Sequence, residues 1–267
     1  KNMKIYDCFT FFNELELLDL RLKELYNHVD YFVLIEATLT HTGKPKELIF
    51  EKNKDKYSDY LDKIIYVKVD DLPDYNDFEG IWEPENFQRN CIVRGLTNAE
   101  NNDVIMVSDI DEIPRPSAIP IGINGLEKHK WISCEQNLFY YYVNCVQNQL
   151  WRGTVLSKRK DASTPQDLRN ARDVVPHLKN AGWHYSFMGG SDRIIEKVSN
   201  IAESSLIIDK IKGKDDIEYK MKNQIDLWDR TESLAQKKII PLDARAPENI
   251  NWFIKKYPTF YYDKKRN

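Results

Sequence analysis

The sequence predicts an α/β protein built on a Rossmann-like mixed sheet flanked by helices, and three observations indicate it. In the first half, short β-branched runs alternate with helical patterns, which is typical of parallel strands joined by crossover helices. In the second half, aromatic-rich segments indicate added antiparallel β structure. Between them, an apolar run ends in three acidic residues, Asp109, Asp111 and Glu112.

The first half is predicted to contain four strands and three helices. The strands are expected over residues 4–11, 31–37, 64–69 and 103–108. The helices are expected over 14–26, around 54–61 and over 84–100, with Asn13 as the N-cap of the first. The acidic residues then follow the fourth strand, and ligands of such sheets bind outside the carboxyl ends of the strands.

In the second half, segments 131–143 and 150–157 are predicted to be β structure. The polar segment 158–176, which contains proline, is predicted to be a flexible loop. A short strand is expected over 182–188, and a helix with Asp192 as its N-cap over 192–203. No internal repeat or low-complexity linker divides the chain, and one domain over 1–267 is therefore expected.

Composition excludes several classes of protein. With 42% hydrophobic and 30% charged residues among 267, the chain is expected to be globular. A net charge of −3 argues against nucleic acid as a partner. No apolar run reaches the roughly 18–20 residues that span a bilayer, and the four cysteines show no disulfide or zinc spacing. We expect a soluble cytoplasmic chain with buried thiols and no integral membrane segment. Whether a membrane anchor precedes the given sequence is left open.

Asp109 and Asp111 are the main candidate ligands for a metal. If the extended chain persists past the strand, alternate residues point the same way and both carboxylates face one cation. Carboxylate oxygens suit Mn²⁺ or Mg²⁺, which would also bind a diphosphate. A bare Asp-x-Asp pattern is also common in caps and turns. The cluster of like charges after a buried strand favours the metal site.

Four other residues are candidates on weaker patterns. His184 lies near Gly182, Gly189 and Gly190, and its imidazole is a candidate third metal ligand, although a core histidine is an open alternative. Glu36, at the carboxyl end of the second strand, and Lys44, after it, are candidates for ribose and phosphate contacts or a solvated turn. Arg89, on a helix, is a candidate diphosphate contact.

Four ordered motifs resemble glycosyltransferase family 17, the β-1,4-mannosyl-glycoprotein β-1,4-N-acetylglucosaminyltransferase family. They span 6–14, which includes Phe9 and Thr10, then 33–45, 108–114 and 182–184. The resemblance implies a GT-A type fold, a UDP-sugar donor such as UDP-N-acetylglucosamine, a divalent metal and inversion at the anomeric carbon. It also implies a nucleotide-sugar-binding half over 1–115, where Phe9 and Thr10 are candidate cofactor contacts, and an acceptor-side half over 116–267.

An inverting transfer to a glycan hydroxyl needs a base that takes the acceptor's proton. The candidates are Asp192, which we favour, Glu112 and Glu135; Asp192 as a helix cap and Glu112 as a support for the metal ligands are the alternatives. Two other functions remain open. One is a haloacid-dehalogenase-type phosphohydrolase with Asp109 as nucleophile, and the other is a non-catalytic carbohydrate-binding protein.

Overall fold

The computed structural model describes residues 2–265, so residues 1, 266 and 267 of the predicted domain lie outside the described part. Within it, ten strands form one sheet. They are β1 (Ile5–Phe11), β2 (Tyr31–Ala37), β3 (Ile64–Val69), β4 (Val104–Asp109), β5 (Glu112–Pro114), β6 (Trp131–Tyr140), β7 (Cys145–Lys158), β8 (His177–Leu178), β9 (Gly182–Ser186) and β10 (Lys237–Ile239).

Helices of two kinds connect these strands. The α-helices are α1 (Leu15–Leu25), α2 (Ile49–Asn53), α3 (Glu83–Asn90), α4 (Ala118–Gly125), α5 (Pro165–Ala171), α6 (Ser191–Asn200), α7 (Ser204–Ile207), α8 (Lys214–Asn223) and α9 (Ile250–Lys256). Short 3-10 helices cover Lys54–Tyr60, Tyr75–Asp77, Cys91–Gly95, Arg159–Asp161, Ile208–Lys210, Ser233–Ala235 and Pro258–Phe260. The helix expected over 84–100 is therefore shorter, and the one around 54–61 is 3-10.

The sheet has a parallel part and a mixed part. Its order is β3-β2-β1-β4-β7-β6-β9-β5, with β10 paired to β7 and β8 to β6. Strands β1 to β4 are parallel, whereas β7 is antiparallel to both β4 and β6. Strand β9 is parallel to β6 and antiparallel to β5. The predicted α/β fold with a mixed sheet is confirmed. Because β5 pairs with β9, both parts of the chain share one sheet, and the division at residue 115 stays a prediction.

The loop predicted over 158–176 is wrong at its centre, where α5 forms. The Thr164 hydroxyl accepts the backbone N–H of Asp167, and the Asp167 carboxylate accepts the backbone N–H of Thr164. This is a capping box, and Pro165 occupies the first turn, where its missing N–H is not needed. The sequence therefore carries a helix signal at Pro165, inside the segment predicted to be a loop.

The predicted N-cap Asn13 is wrong, and so is the alternative in which Asp192 caps the later helix. Glu14, not Asn13, is the N-cap of α1, and its carboxylate accepts the backbone N–H of Asn13. Gly190, not Asp192, is the N-cap of α6, because the chain enters this helix with a φ of 94° that favours glycine. Asp192 thus lies inside the first turn of α6.

The core lies on both faces of the sheet, because neighbouring residues of a strand point to opposite faces. Phe9 and Phe11 of β1 pack in a cluster with Leu18 and Leu22 of α1. Cys8, the residue before Phe9, belongs to a second cluster, which includes residues of β2, β3 and β4. The four cysteines are buried and free, as predicted. The expected cytoplasmic location stays a prediction.

Within residues 2–265, no helix combines the length and the apolar character needed to cross a membrane.

Residue 182 has to be glycine for β5 and β9 to pair as they do. Gly182 has a φ of 152°, and a Cβ there would lie 2.3 Å from the carbonyl oxygen of Ile113. The pairing aligns Pro114 with Gly182 and Glu112 with His184. The missing side chain at residue 182 therefore lets the histidine lie beside the acidic segment.

We expect Gly182→Ala to lower the free energy of unfolding by at least about 2 kcal/mol, because the new Cβ clashes with the backbone and the φ is strained. Urea unfolding measures the loss. Gly80→Ala is the control, since its Cβ would meet only ordinary contacts with Glu83 at 3.7 Å or more. Equal stability of the two variants would contradict this account of the β5–β9 pairing.

Candidate functional site

The acidic segment turns back directly after β4. Asp109 is the last residue of β4, Ile110 and Asp111 form a turn, and Glu112 begins β5. Extended chain therefore does not persist past the strand, which was the condition for Asp109 and Asp111 to point the same way. Within this turn, the two carboxylates are held by different cationic side chains.

Arg21 of α1 fixes the turn. Its Nε and Nη2 donate to the two carboxylate oxygens of Asp7 at 2.8 and 2.7 Å. Its Nη1 donates to the carbonyl oxygens of Asp109, Ile110 and Glu112 at 3.0, 3.2 and 2.8 Å. Both charged side chains of the Arg21–Asp7 pair are 0% exposed. One guanidinium thus ties β1 and α1 to the segment that bears the acids.

Asp109 lies between two arginines. Arg89 donates from Nη2 to Oδ1 and Arg169 donates from Nη2 to Oδ2, each at 2.9 Å. The Thr10 hydroxyl is 3.5 Å from Oδ1. Burial alone would raise the pKa of Asp109, but the guanidinium groups of Arg169 and Arg89 outweigh it and hold that pKa well below its usual range. Asp109 is therefore favoured in its charged form, and it binds two cations.

Asp111 has a different pair of partners. Lys197 of α6 donates from Nζ to Oδ2 at 2.8 Å, and Nε2 of His184 lies 3.5 Å from Oδ1. Burial raises the pKa of Asp111, but Lys197 and His184 together bring it far below its usual range. The pKa of Lys197 is in turn raised, because the nearby Asp111 outweighs the effect of burial.

Glu112 is enclosed by donors. Nη1 of Arg169 donates to both carboxylate oxygens at 2.7 and 2.8 Å, and Nε1 of Trp151 donates to Oε1 at 2.7 Å. The backbone N–H of Asp109 donates to Oε2 at 2.9 Å. The side chain is 0% exposed. Arg169 therefore bridges Asp109 and Glu112, and the role of Glu112 as a base stays a prediction.

Trp151 also contacts His184, since the ring centroids are 4.9 Å apart. Gly153, two residues along β7, leaves room for the Glu112 carboxylate, because a Cβ there would lie 2.9 Å from Cδ of Glu112. The tryptophan ring and β7 thus form one wall around the acids and the histidine.

Glu36, near the end of β2, and Lys44, in the loop after it, have different surroundings. Glu36 is fully buried and accepts the backbone N–H of Phe50 and the hydroxyl of Tyr66, both at 3.0 Å, so it supports the start of α2. Burial raises its pKa, and Lys46 opposes the rise only in part. Lys44 is exposed. The roles predicted for Glu36 and Lys44 toward a nucleotide stay predictions.

His41 connects the same segment to the arginines. Its Nε2 lies 2.8 Å from Oε1 of Gln88, and its Nδ1 lies 3.7 Å from Glu85. Glu85 accepts from Nη2 of Arg89 at 2.6 Å, and Arg89 reaches Asp109. Arg89, predicted as a diphosphate contact, is thus 1% exposed and lies at the centre of the acidic site.

The remaining predicted residues have other partners. Phe9 is fully buried, with the Arg21 guanidinium 4.5 Å from its ring centre. The Asp192 side chain is 78% exposed and pairs with Lys214 at 2.8 Å. Glu135 lies 3.5 Å from His177. Of the three base candidates, Asp192 has the most accessible carboxylate.

Sequence reasoning missed three cations that the structure brings to the acids. Arg21 could have been found, because it lies on the apolar face of α1 between Leu18 and Leu22, where a charge needs a partner. Arg169 was hidden by the loop predicted over 158–176. Lys197 lies on an amphipathic helix, and nothing in the sequence around it indicates that it contacts a buried acid.

The donor set fits a metal only in part. Among residues 2–265, no three His, Cys, Asp or Glu side chains are grouped so that they could hold a metal ion. Arginines donate to both oxygens of Asp109, whereas Lys197 donates to only one oxygen of Asp111, so Asp109 fits less well and its role as a metal ligand stays a prediction. Asp111 and His184 do fit as a pair, since oxygen and imidazole nitrogen suit Mn²⁺. The buried Nδ1 of His184 has no hydrogen-bond partner among the described residues, so this ring has unused capacity.

The sequence matches the family described as glycosyltransferase family 17 over residues 1–221. Similar proteins include the β-1,4-mannosyl-glycoprotein 4-β-N-acetylglucosaminyltransferases of Homo sapiens and Rattus norvegicus. Each is 32% identical over 108 residues, which cover 38% of this chain and 20% of the relative. The match thus spans about a fifth of the length of these relatives.

Similar solved structures are distant. Crystal structures of S. aureus TarS 1-349 in complex with UDP-GlcNAc and of GalNAc-T7 with UDP, GalNAc and Mn²⁺ are 10% and 9% identical. Their TM-scores are 0.39 and 0.44. The first match covers 77% of this chain and 67% of that chain, and the second covers 97% and 55%.

We expect Arg21→Met to lower the free energy of unfolding by about 3–5 kcal/mol, because Asp7 is left as an unpaired buried charge. Urea unfolding measures this loss. Arg94→Met is the control, since its pair with Asp71 is exposed and should contribute less than about 1 kcal/mol. A loss for Arg21→Met no larger than that of the control would show that the buried pair does not hold this turn.

Proposed function

The chain belongs to glycosyltransferase family 17, and we propose that it transfers a sugar, N-acetylglucosamine, from a UDP-sugar donor to a glycan hydroxyl with inversion. The relatives named above are N-acetylglucosaminyltransferases, which supports this donor sugar. The observation that carries the proposal is the cluster after β4. There, acids and cations are packed together at the carboxyl end of the parallel strands, where ligands of such sheets bind.

The charges of this cluster suit a nucleotide diphosphate. Arg89, Arg169 and Lys197 each lie within 2.9 Å of a carboxylate of the acidic segment. Guanidinium and ammonium groups also bind phosphate oxygens, and a site that excludes water strengthens these contacts. We assign Asp109 the task of orienting Arg89 and Arg169 toward the diphosphate. Thr10, whose hydroxyl is near Asp109, lies at the same edge.

We assign the metal site to Asp111 and His184, with Mn²⁺ or Mg²⁺ as the ion and oxygens of the donor completing its ligands. Such an ion neutralises charge on the leaving diphosphate. The chain's own groups hold the site in place: Arg21 fixes the turn that carries Asp111, and the β5–β9 pairing places His184 beside it. Asp109, predicted as a metal ligand, is given the arginine-orienting role instead.

The base that takes the proton of the acceptor hydroxyl is assigned to Asp192. Its carboxylate is exposed, whereas that of Glu112 is enclosed by Arg169 and Trp151. Asp192 also lies on α6, the helix that carries Lys197 to Asp111. Glu112 is given a positioning role.

The two alternative functions have less support. A phosphohydrolase of the haloacid-dehalogenase type needs a free Asp109 carboxylate for attack, and both of its oxygens are bound by arginines. A non-catalytic carbohydrate-binding protein would bind sugars without turnover, and the hydrolysis assay below distinguishes it from an enzyme.

We expect Mn²⁺-dependent hydrolysis of UDP-N-acetylglucosamine by the wild type, and a loss of at least about 100-fold in Asp111→Asn, because a weaker ligand replaces the carboxylate. Release of UDP measures the rate in a screen that includes GDP-sugars. Asp70→Asn is the control, since its pair with Lys68 is exposed. Hydrolysis by Asp111→Asn at the wild-type rate would contradict the assignment, and sugar binding without any hydrolysis would favour the non-catalytic alternative.

For Asp192→Asn we expect a rate about 100-fold lower, because an amide cannot take the proton, while the affinity for UDP stays that of the wild type. Calorimetry and UDP release separate the two effects. Asp215→Asn, an exposed acid in the first turn of α8, is the matched control. An unchanged rate in Asp192→Asn would remove this residue as the base.

A further inference from the structure

Lys197 occupies a position next to the proposed metal ligands. Its ammonium is 2.8 Å from Oδ2 of Asp111, the carboxylate whose other oxygen faces His184. It also lies 5.1 Å from the ring centre of Phe187. The Lys197 side chain is 26% exposed and that of Asp111 is 7% exposed. The ammonium is therefore the cation that compensates Asp111 in a largely dry environment.

A divalent ion bound by Asp111 and His184 would compete with this ammonium. Both cations need the same carboxylate, and at such short separation they repel each other strongly because the site is poorly screened. The metal can bind Asp111 only if the ammonium contact is given up, and the free energy of that lost contact lowers the affinity for the metal. A nearby anion that accepts the ammonium removes that penalty.

We propose that Lys197 is a built-in counter-cation: it holds Asp111 when no metal is bound, and it transfers to the donor diphosphate when the metal arrives. This inference rests on the proposed function and deepens it, because it assigns Lys197 as a positioning residue that couples metal and nucleotide binding. By linkage, each ligand then raises the affinity for the other by the same factor.

Two side-chain contacts anchor α6 around Lys197. Arg193, one turn before Lys197, donates to both oxygens of Glu16 at 2.6 and 2.7 Å and anchors the helix. Glu196 accepts from the side chain of Asn13 at 2.9 Å. The lysine has a flexible four-carbon stem, so rotation of this side chain alone moves the ammonium.

The test is a titration with MnCl₂, followed by electron paramagnetic resonance of the free ion, with and without UDP. In the absence of UDP, Lys197→Met should bind Mn²⁺ at least ten-fold more tightly than the wild type, because no ammonium competes. UDP should raise the Mn²⁺ affinity of the wild type ten-fold or more and that of Lys197→Met much less. Lys68→Met, which removes a lysine from an exposed pair with Asp70, should behave as the wild type.

Equal Mn²⁺ affinities of Lys197→Met and the wild type without UDP would overturn the proposal, and so would an undiminished effect of UDP in the variant. If circular dichroism shows that Lys197→Met is unfolded, Lys197→Arg decides. Its guanidinium holds Asp111 through two hydrogen bonds, so it should bind Mn²⁺ more weakly than the wild type, and equal or tighter binding overturns the proposal.

The two proposals fail differently. Absence of UDP binding in every variant would contradict the proposed donor. The comparison of Mn²⁺ affinities without UDP tests only the proposed role of Lys197.

Discussion

The fully buried ion pair between Arg21 and Asp7 is the constraint on which the rest of the site depends. Asp7 lies in the middle of β1 and Arg21 on the inner face of α1, so the pair is made by the first two elements of the chain. The remaining amino group of Arg21 binds three carbonyl oxygens of the turn after β4. A buried charge is tolerated only when its partners are complete, and here the acidic turn completes them. The position of the acids is thus decided by the core.

In and beside that turn, each carboxylate is paired with at least one cation. Asp109 is held by Arg89 and Arg169, Glu112 by Arg169, and Asp111 by Lys197. Clustered acids would repel one another, and these contacts compensate that repulsion. They also explain the low pKa of Asp109 and of Asp111. A ligand that enters this site rearranges existing ion pairs and does not meet bare charges.

Much of the frame could be predicted from sequence because its signals are local. Apolar β-branched runs place β2 and β3, and the acids after β4 mark the edge where ligands bind. The partners of these acids could not be predicted in the same way. Arg169 lies 60 residues from Asp109 along the chain and Lys197 lies 86 from Asp111, so only the folded sheet brings them together. The turn at Ile110 was also missed, because periodicity does not show where a strand ends.

The central claim is that Asp111 and His184 bind the metal of a UDP-sugar transferase, while Asp109 orients arginines. Anomalous diffraction from crystals soaked with MnCl₂ and UDP tests it most directly. The account predicts one Mn²⁺ peak between Asp111 and His184, with the Asp109 carboxylate still on Arg89 and Arg169. A peak coordinated by Asp109, or bound UDP with no Mn²⁺ peak at Asp111, would contradict it.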